Sequence, residues 1–197
     1  MGRRVSGTAE ARRRRRWRRH LRRGAYTVVG AAAAFAVAGL PVYVFPPSDE
    51  VTQADLIYVI GPPTNERVAI ERALRLEGVA DQSLYSVSLQ GGWSEERMAV
   101  CREEDVFCEH PTPFTTQGEA DHLNGFAAEH GVDKTIVLTF TPHVARTRYI
   151  FGKCYDGDVD VVAVDEHLGV AEWIYEYAYQ TAGFVKAWFT PCPSGAD

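Results

Sequence analysis

The stretch Pro113–Cys154, PFTTQGEADHLNGFAAEHGVDKTIVLTFTPHVARTRYIFGKC, decides the fold. It reads as helix, strand, helix. Thr116 and Glu119 stand at the T-x-x-E spacing of a capping box, where each side chain satisfies a free backbone N–H at the helix start. The helix that follows carries apolar or small residues at Leu123, Phe126 and Ala127 and stops at Gly131. Lys134–Phe140 is short, apolar and β-branched, the composition of a buried strand. Thr141 is the expected cap of a second helix, with Pro142 at its first position. That start puts His143 and Arg146 three apart, on one face of the first turn. The unit presents a helix N-terminus, an imidazole and a guanidinium just past a strand's carboxyl end. Ligands bind there in open α/β sheets, and helix N-termini favour anions.

The surrounding chain alternates in the same way. Ala54–Ile60 reads as the first strand and ends in Gly61-Pro62-Pro63. A helix capped by Thr64 or Asn65 follows, with Val68, Ile70, Ala73 and Leu74 on its apolar face. Arg67 falls in its first turn, where a cation opposes the helix dipole and asks for a reason. Ser83–Leu89 is the second strand, Ser94–Val100 a short helix, and Cys101–Pro113 irregular and acidic. Val159–Val164 is a further strand, and Val170–Phe189 a helix whose Trp, Tyr and Phe residues are expected to pack against the sheet. The pattern predicts an α/β fold: a three-layer Rossmann-like domain with a mainly parallel sheet, preceded by one N-terminal transmembrane helix.

That N-terminal segment is set apart by charge. Eleven of the 21 Lys and Arg residues, all Arg, precede residue 24. Ala25–Phe45 then runs 21 residues without a charge, long enough to cross a bilayer. Basic residues before such a span keep the N-terminus in the cytoplasm and suit an anionic inner leaflet. The expected organisation is a basic cytoplasmic tail over 1–24, an anchor over 25–45, a linker over 46–53 and an extracytoplasmic α/β domain over 54–197. Ala36-Val37-Ala38 offers the alternative of a cleaved signal peptide, against which the apolar run continues through Val44. From Pro46 onward there are 10 basic and 25 acidic residues, a balance that argues against nucleic acid as the partner.

Four cysteines, Cys101, Cys108, Cys154 and Cys192, suit two disulfides in an exported domain, and three pairings are open. Cys101–Cys108 would staple the irregular loop; Cys154–Cys192 would tie the tail to the central unit. A zinc site with His110 and His122 near Cys108 is the alternative, but the spacing fits no finger or ribbon. Asp156-Gly157-Asp158 lacks the remaining ligands of a calcium loop. No G-x-S-x-G elbow and no P-loop is present. Neither a metal nor a cofactor is expected.

ADLIYVIGPPTNER, TTQGEA and TPHVARTR, in that order and spacing, give the chain a resemblance to the SanA/YdcF/ElyC family of bacterial envelope proteins over roughly Asp55–Val164. The stretch CREEDVFCEHPTPFTTQGEA resembles its secreted actinobacterial branch. There are departures: Ser88-Leu89-Gln90-Gly91-Gly92 replaces S-G-G, and Thr147 rather than Ala follows Arg146. The resemblance implies a role in cell-envelope integrity and peptidoglycan assembly, linked to the polyprenyl-phosphate carrier. It carries over no agreed reaction, and whether the chain is an enzyme is left open.

The candidate site joins Gly61, Asn65, Arg67, Thr116, Thr141 and Arg146 as ligand contacts, with His143 and Glu119 as the candidate catalytic pair. Guanidinium matches phosphate and carboxylate in bidentate fashion; the bland alternative pairs Arg67 or Arg146 with Glu66, Glu71 or Glu119. His143 suits a general acid or an anion donor, in metal-independent phosphoryl or pyrophosphoryl hydrolysis if a reaction follows. The expected function is that of a membrane-anchored domain binding an anionic, phosphorylated envelope intermediate, with polyprenyl-phosphate-linked species among the candidates. The alternatives are a non-catalytic module organising envelope assembly proteins, and a nucleotide- or S-adenosylmethionine-binding enzyme.

Overall fold

A computed structural model describes residues 6–193. Arg3 and Arg4 of the basic tail and the last four residues of the predicted domain lie outside them. The chain divides into two compact units, Met1–Leu40 and Pro41–Asp197.

The first unit is the helix α1 (Ser6–Gly39). A π-helical turn over Leu40–Val44 follows, where Pro41 has no N–H to continue the regular ladder. Arg12–Val44 holds the one segment among the described residues that is long and apolar enough to cross a membrane, with a mean hydropathy of 1.9. Its length and composition suit a membrane anchor or a signal sequence.

The second unit is built on a five-stranded sheet of β1 (Leu56–Val59), β2 (Gln82–Ser86), β3 (Val106–Glu109), β4 (Lys134–Phe140) and β5 (Asp158–Val164). Every strand pair is parallel and the order is β3-β2-β1-β4-β5. The helices are α2 (Asn65–Leu76), α3 (Thr116–His130), α4 (Val144–Cys154) and α5 (Val170–Phe189). The order reverses between β1 and β4, so the loops leaving these two strands diverge and open a crevice.

Period-two alternation sends β1 side chains to both faces, and both are covered. Leu56, Tyr58 and Ile60 join Leu123 and Phe126 of α3 and Ile150 and Phe151 of α4. Ile57 and Val59 join Ile136, Leu138 and Met98, with Val68 and Leu74 of α2 against them. Three layers result. On the α2 side the fully buried Glu71 carboxylate accepts from Ser83 Oγ (2.5 Å), Tyr85 Oη (2.6 Å) and Arg75 Nε (3.0 Å).

Three expectations about elements are corrected. The short helix expected over Ser94–Val100 is a run of turns, followed by a 3-10 helix over Ala99–Arg102. The stretch read as irregular contains β3, which extends the sheet beside β2. At four residues, VFCE between acidic neighbours is too short to display alternation. The aromatic residues of α5 do not pack against the sheet: Tyr175, Trp188 and Phe189 are 61%, 75% and 81% exposed, and only Gln180 and Ala187 of this helix are buried.

The disulfides are Cys101–Cys108 and Cys154–Cys192, so no cysteine is left for zinc. By loop-closure entropy they contribute about 2 and about 4 kcal/mol. His110 stacks on Phe114, and His122 pairs with Glu109 at 2.8 Å. The segment read as a linker is bonded along β5: Asp49 N–H donates to Val161 O (3.1 Å), and the Asp49 carboxylate accepts from Val161 N–H (2.8 Å).

Candidate functional site

The crevice is a cavity of about 750 Å³, walled by the strand ends and floored along one side by α5. Gly61, Arg67, Thr116, Glu119, His143 and Arg146 all line it. These six come from three separate segments of the chain.

β1 ends at Val59, and the turn through Gly61 leads to Thr64, which caps α2 by accepting from Arg67 N–H. Asn65 is the first residue of α2, exposed and outside the cavity, because Thr64 has taken the cap. The reason for a cation in this first turn is now plain. The Arg67 guanidinium is buried, donating from Nε to Glu166 Oε1 (2.7 Å) and from Nη1 to Ile60 O (3.1 Å) and Pro62 O (3.0 Å). It also lies over the Phe140 ring, 5.0 Å from its centroid. Glu166, in the loop after β5, also accepts from the Thr64 hydroxyl (2.8 Å). Arg67 therefore braces the ends of β1 and β5, and its partner is none of the carboxylates expected from sequence.

The T-x-x-E capping box does not form at α3. Thr115 is the cap and accepts from Gly118 N–H (3.2 Å). A Cβ on Gly118 would sit 1.9 Å from Pro113 O, so this tight entry requires glycine. Freed from the cap, the Glu119 carboxylate reaches across the crevice and accepts from Gly61 N–H (2.8 Å). Gly61 thus holds Glu119 instead of offering its N–H to a ligand. Burial pushes the Glu119 carboxyl up from the usual range, against the opposing pull of Ser86, the Gly61 N–H and the Arg67 and Arg146 charges. The Ser86 hydroxyl is buried beside it without a well-formed hydrogen bond. Thr116 opens α3 with its hydroxyl 3.4 Å from His143 Nε2. The first N–H groups of the helix have no intrahelical acceptor.

β4 runs into a tight turn over Thr141–His143 before α4 begins. Thr141 is not the cap and does not line the cavity; its hydroxyl donates to Val164 O (3.5 Å) and Asp165 Oδ1 (3.3 Å), tying β4 to β5. His143 is buried, with Nδ1 3.0 Å from Thr139 Oγ1 and Nε2 2.8 Å from Arg146 Nη2. Guanidinium only donates, so Nε2 is the acceptor and the proton sits on Nδ1. Burial, then the Arg146 and Arg67 charges, hold the imidazole well below its ordinary range. It is neutral at pH 7.

Arg146 differs from Arg67 in kind. Its guanidinium lies over the Tyr179 ring of α5, 5.4 Å from the centroid, and its Nε is buried without a hydrogen-bond partner. Among the described residues no carboxylate reaches ion-pairing distance of it. Burial lowers its pKa, but an arginine keeps its charge. Gly183 makes room for it: a Cβ there would sit 2.3 Å from Arg146 Nη1.

Glu166, Thr139, Tyr179 and Gly183 complete the site and are absent from the sequence reading. Glu166 had a signal, since it follows a strand's carboxyl end by two residues. The α5 contacts had none, because helical periodicity does not say which loop a helix folds back over. The set can hold an anion against Arg146 and the start of α3, while the His143 Nε2 lone pair is taken by Arg146. Compared with family models, with curated proteins and with solved structures, the chain matches none.

Proposed function

We propose that the chain is a membrane-anchored envelope protein, similar to the SanA/YdcF/ElyC group, whose extracytoplasmic domain binds an anionic, phosphorylated cell-envelope intermediate. One observation carries the reading: Arg146 is a largely buried cation with no carboxylate partner, with an unsatisfied Nε, at the edge of a 750 Å³ cavity. Burying an unpaired charge is costly, and a bound phosphate or carboxylate removes that cost through charge-assisted hydrogen bonds. The first N–H groups of α3 add donors of the same sign. Arg67 supports the wall and does not contact the ligand. His143 has no proton on Nε2 to give to a leaving group; it orients Arg146. The reading is accordingly of a binding site. A lipid-linked ligand suits an anchored domain, since the anchor raises the effective concentration of each for the other.

The test is thermal unfolding of the full chain in detergent with short-chain prenyl phosphate, prenyl pyrophosphate, a nucleotide, S-adenosylmethionine and prenyl alcohol. At a hundred times its dissociation constant a ligand adds about 2.7 kcal/mol of stability. The prenyl phosphates are expected to raise the unfolding temperature and the alcohol to leave it unchanged. Arg146→Ala is expected to abolish the rise. A rise that survives Arg146→Ala, or one given by the nucleotide alone, overturns the reading.

A further inference from the structure

α5 is built inside out. Val170, Ile174, Val185, Trp188 and Phe189 share one exposed face, and only alanines and Thr181 stand between them. The charged residues lie elsewhere. The Glu172 carboxylate accepts from Gly169 N–H (2.6 Å) at the start of the helix, and Glu176 accepts from Gln180 (2.7 Å) on the cavity side. Lys186 also lines the cavity. A helix on the surface of a water-surrounded domain turns its polar face outward; this one turns its polar face inward, onto the crevice. Contiguous exposed apolar surface of this kind marks a docking site.

The occupant is indicated by the chain itself. The segment Arg12–Val44 is long and apolar enough to span a bilayer, and Tyr43, in its last turn, packs on α5. The Tyr43 ring meets Tyr177 edge-on at 4.9 Å, and its hydroxyl lies 2.8 Å from Thr181 Oγ1. Thr181 stands within the apolar face, so the turn that carries Tyr43 borders that face. Trp, Tyr and Phe bordered by a lysine is also the composition that settles at the level of lipid headgroups.

We infer that α5 docks along its length on the lipid bilayer, apolar face down, so that the cavity lined by its other side opens at the headgroup layer. The inference rests on the membrane-anchor reading and adds a second, non-spanning contact to it. It also gives a lipid-borne ligand a route to Arg146 that does not cross water.

The test uses the full chain in phosphatidylglycerol–phosphatidylethanolamine vesicles, with Trp188 as the sole tryptophan after Trp17→Phe, Trp93→Phe and Trp173→Phe. A second chain carries Trp188→Phe as well, with its only tryptophan introduced by Leu76→Trp on α2, in the opposite layer. Trp188 is expected to lose most of its emission when the lipids are brominated near the headgroup, and to be protected from aqueous iodide. The tryptophan at position 76 is expected to respond to iodide alone. Wild type against the single Trp188→Phe variant gives the same comparison without the other replacements. A chain that fails to float with the vesicles overturns the anchor reading and the docking together. A chain that floats with Trp188 unquenched by bromolipid overturns the docking alone. Protection from iodide without bromolipid quenching does the same, and assigns the face to a protein surface such as a second copy.

Discussion

Arg67 and Arg146 carry the same charge at neighbouring strand ends, yet their surroundings give them different jobs. Arg67 is satisfied by Glu166 and two carbonyls, so Arg67→Ala leaves Glu166 and those carbonyls unmatched. It is expected to cost about 3 kcal/mol of unfolding free energy in denaturant titration, with ligand affinity falling only as far as the folded fraction does. Two other buried groups should show in the pH dependence of stability, with opposite signs. The folded-state pKa of His143 lies below its ordinary value of 6.5. The unfolded chain therefore takes up a proton that the folded chain refuses, and stability present above pH 6.5 is lost as pH falls, by up to about 1.4 kcal/mol per pH unit. The Glu119 pKa lies above its ordinary 4.5. Its contribution is favourable below pH 4.5 and is lost as pH rises from there toward its folded pKa. Unfolding midpoints measured between pH 4 and 8 should fall less steeply on the acid side in His143→Gln. They should decline less with rising pH in Glu119→Gln. Unchanged slopes in both variants would contradict these environments.

At the scale of elements, α5 is the piece that turns a crevice into a site. Gly183 admits the Arg146 guanidinium against the helix, which yields a sharp separation of stability from function. Gly183→Ala places a methyl group where Nη1 lies, and a flexible side chain can move aside without unfolding anything. Alanine is also the better helix former by about 1 kcal/mol. The variant is expected to hold or gain stability in thermal unfolding while its affinity for a prenyl phosphate drops about tenfold or more. Elements were legible where the signal was local. Lys134–Phe140 and Val170–Phe189 are read from sequence at their observed bounds, because a β-branched run and a long helical period are properties of the segment alone. β3 was not, since four residues cannot show a period. Nor was the inverted face of α5, because an aromatic helix reads the same whether it faces a sheet or something outside the domain. The site divides in the same way. Six residues at strand ends are brought together as their positions suggested. Asn65 falls outside because the adjacent Thr64 took the cap, and Thr141 because its hydroxyl is turned to Val164 and Asp165.

For the whole molecule, parallel order β3-β2-β1-β4-β5 places the cavity where the strand order reverses. The two disulfides suit an extracytoplasmic domain, and the N-terminal apolar helix suits a membrane anchor or a signal sequence. On the proposed function, Arg146 is the group that holds the phosphate of the ligand. The most direct measurement is phosphorus NMR of a short-chain prenyl phosphate titrated with the full chain at pH 7, for wild type and Arg146→Ala. Wild type is expected to shift and broaden the phosphate resonance, and Arg146→Ala to leave it at its free position. A resonance unmoved by wild type, or moved equally by both proteins, would contradict the proposed function.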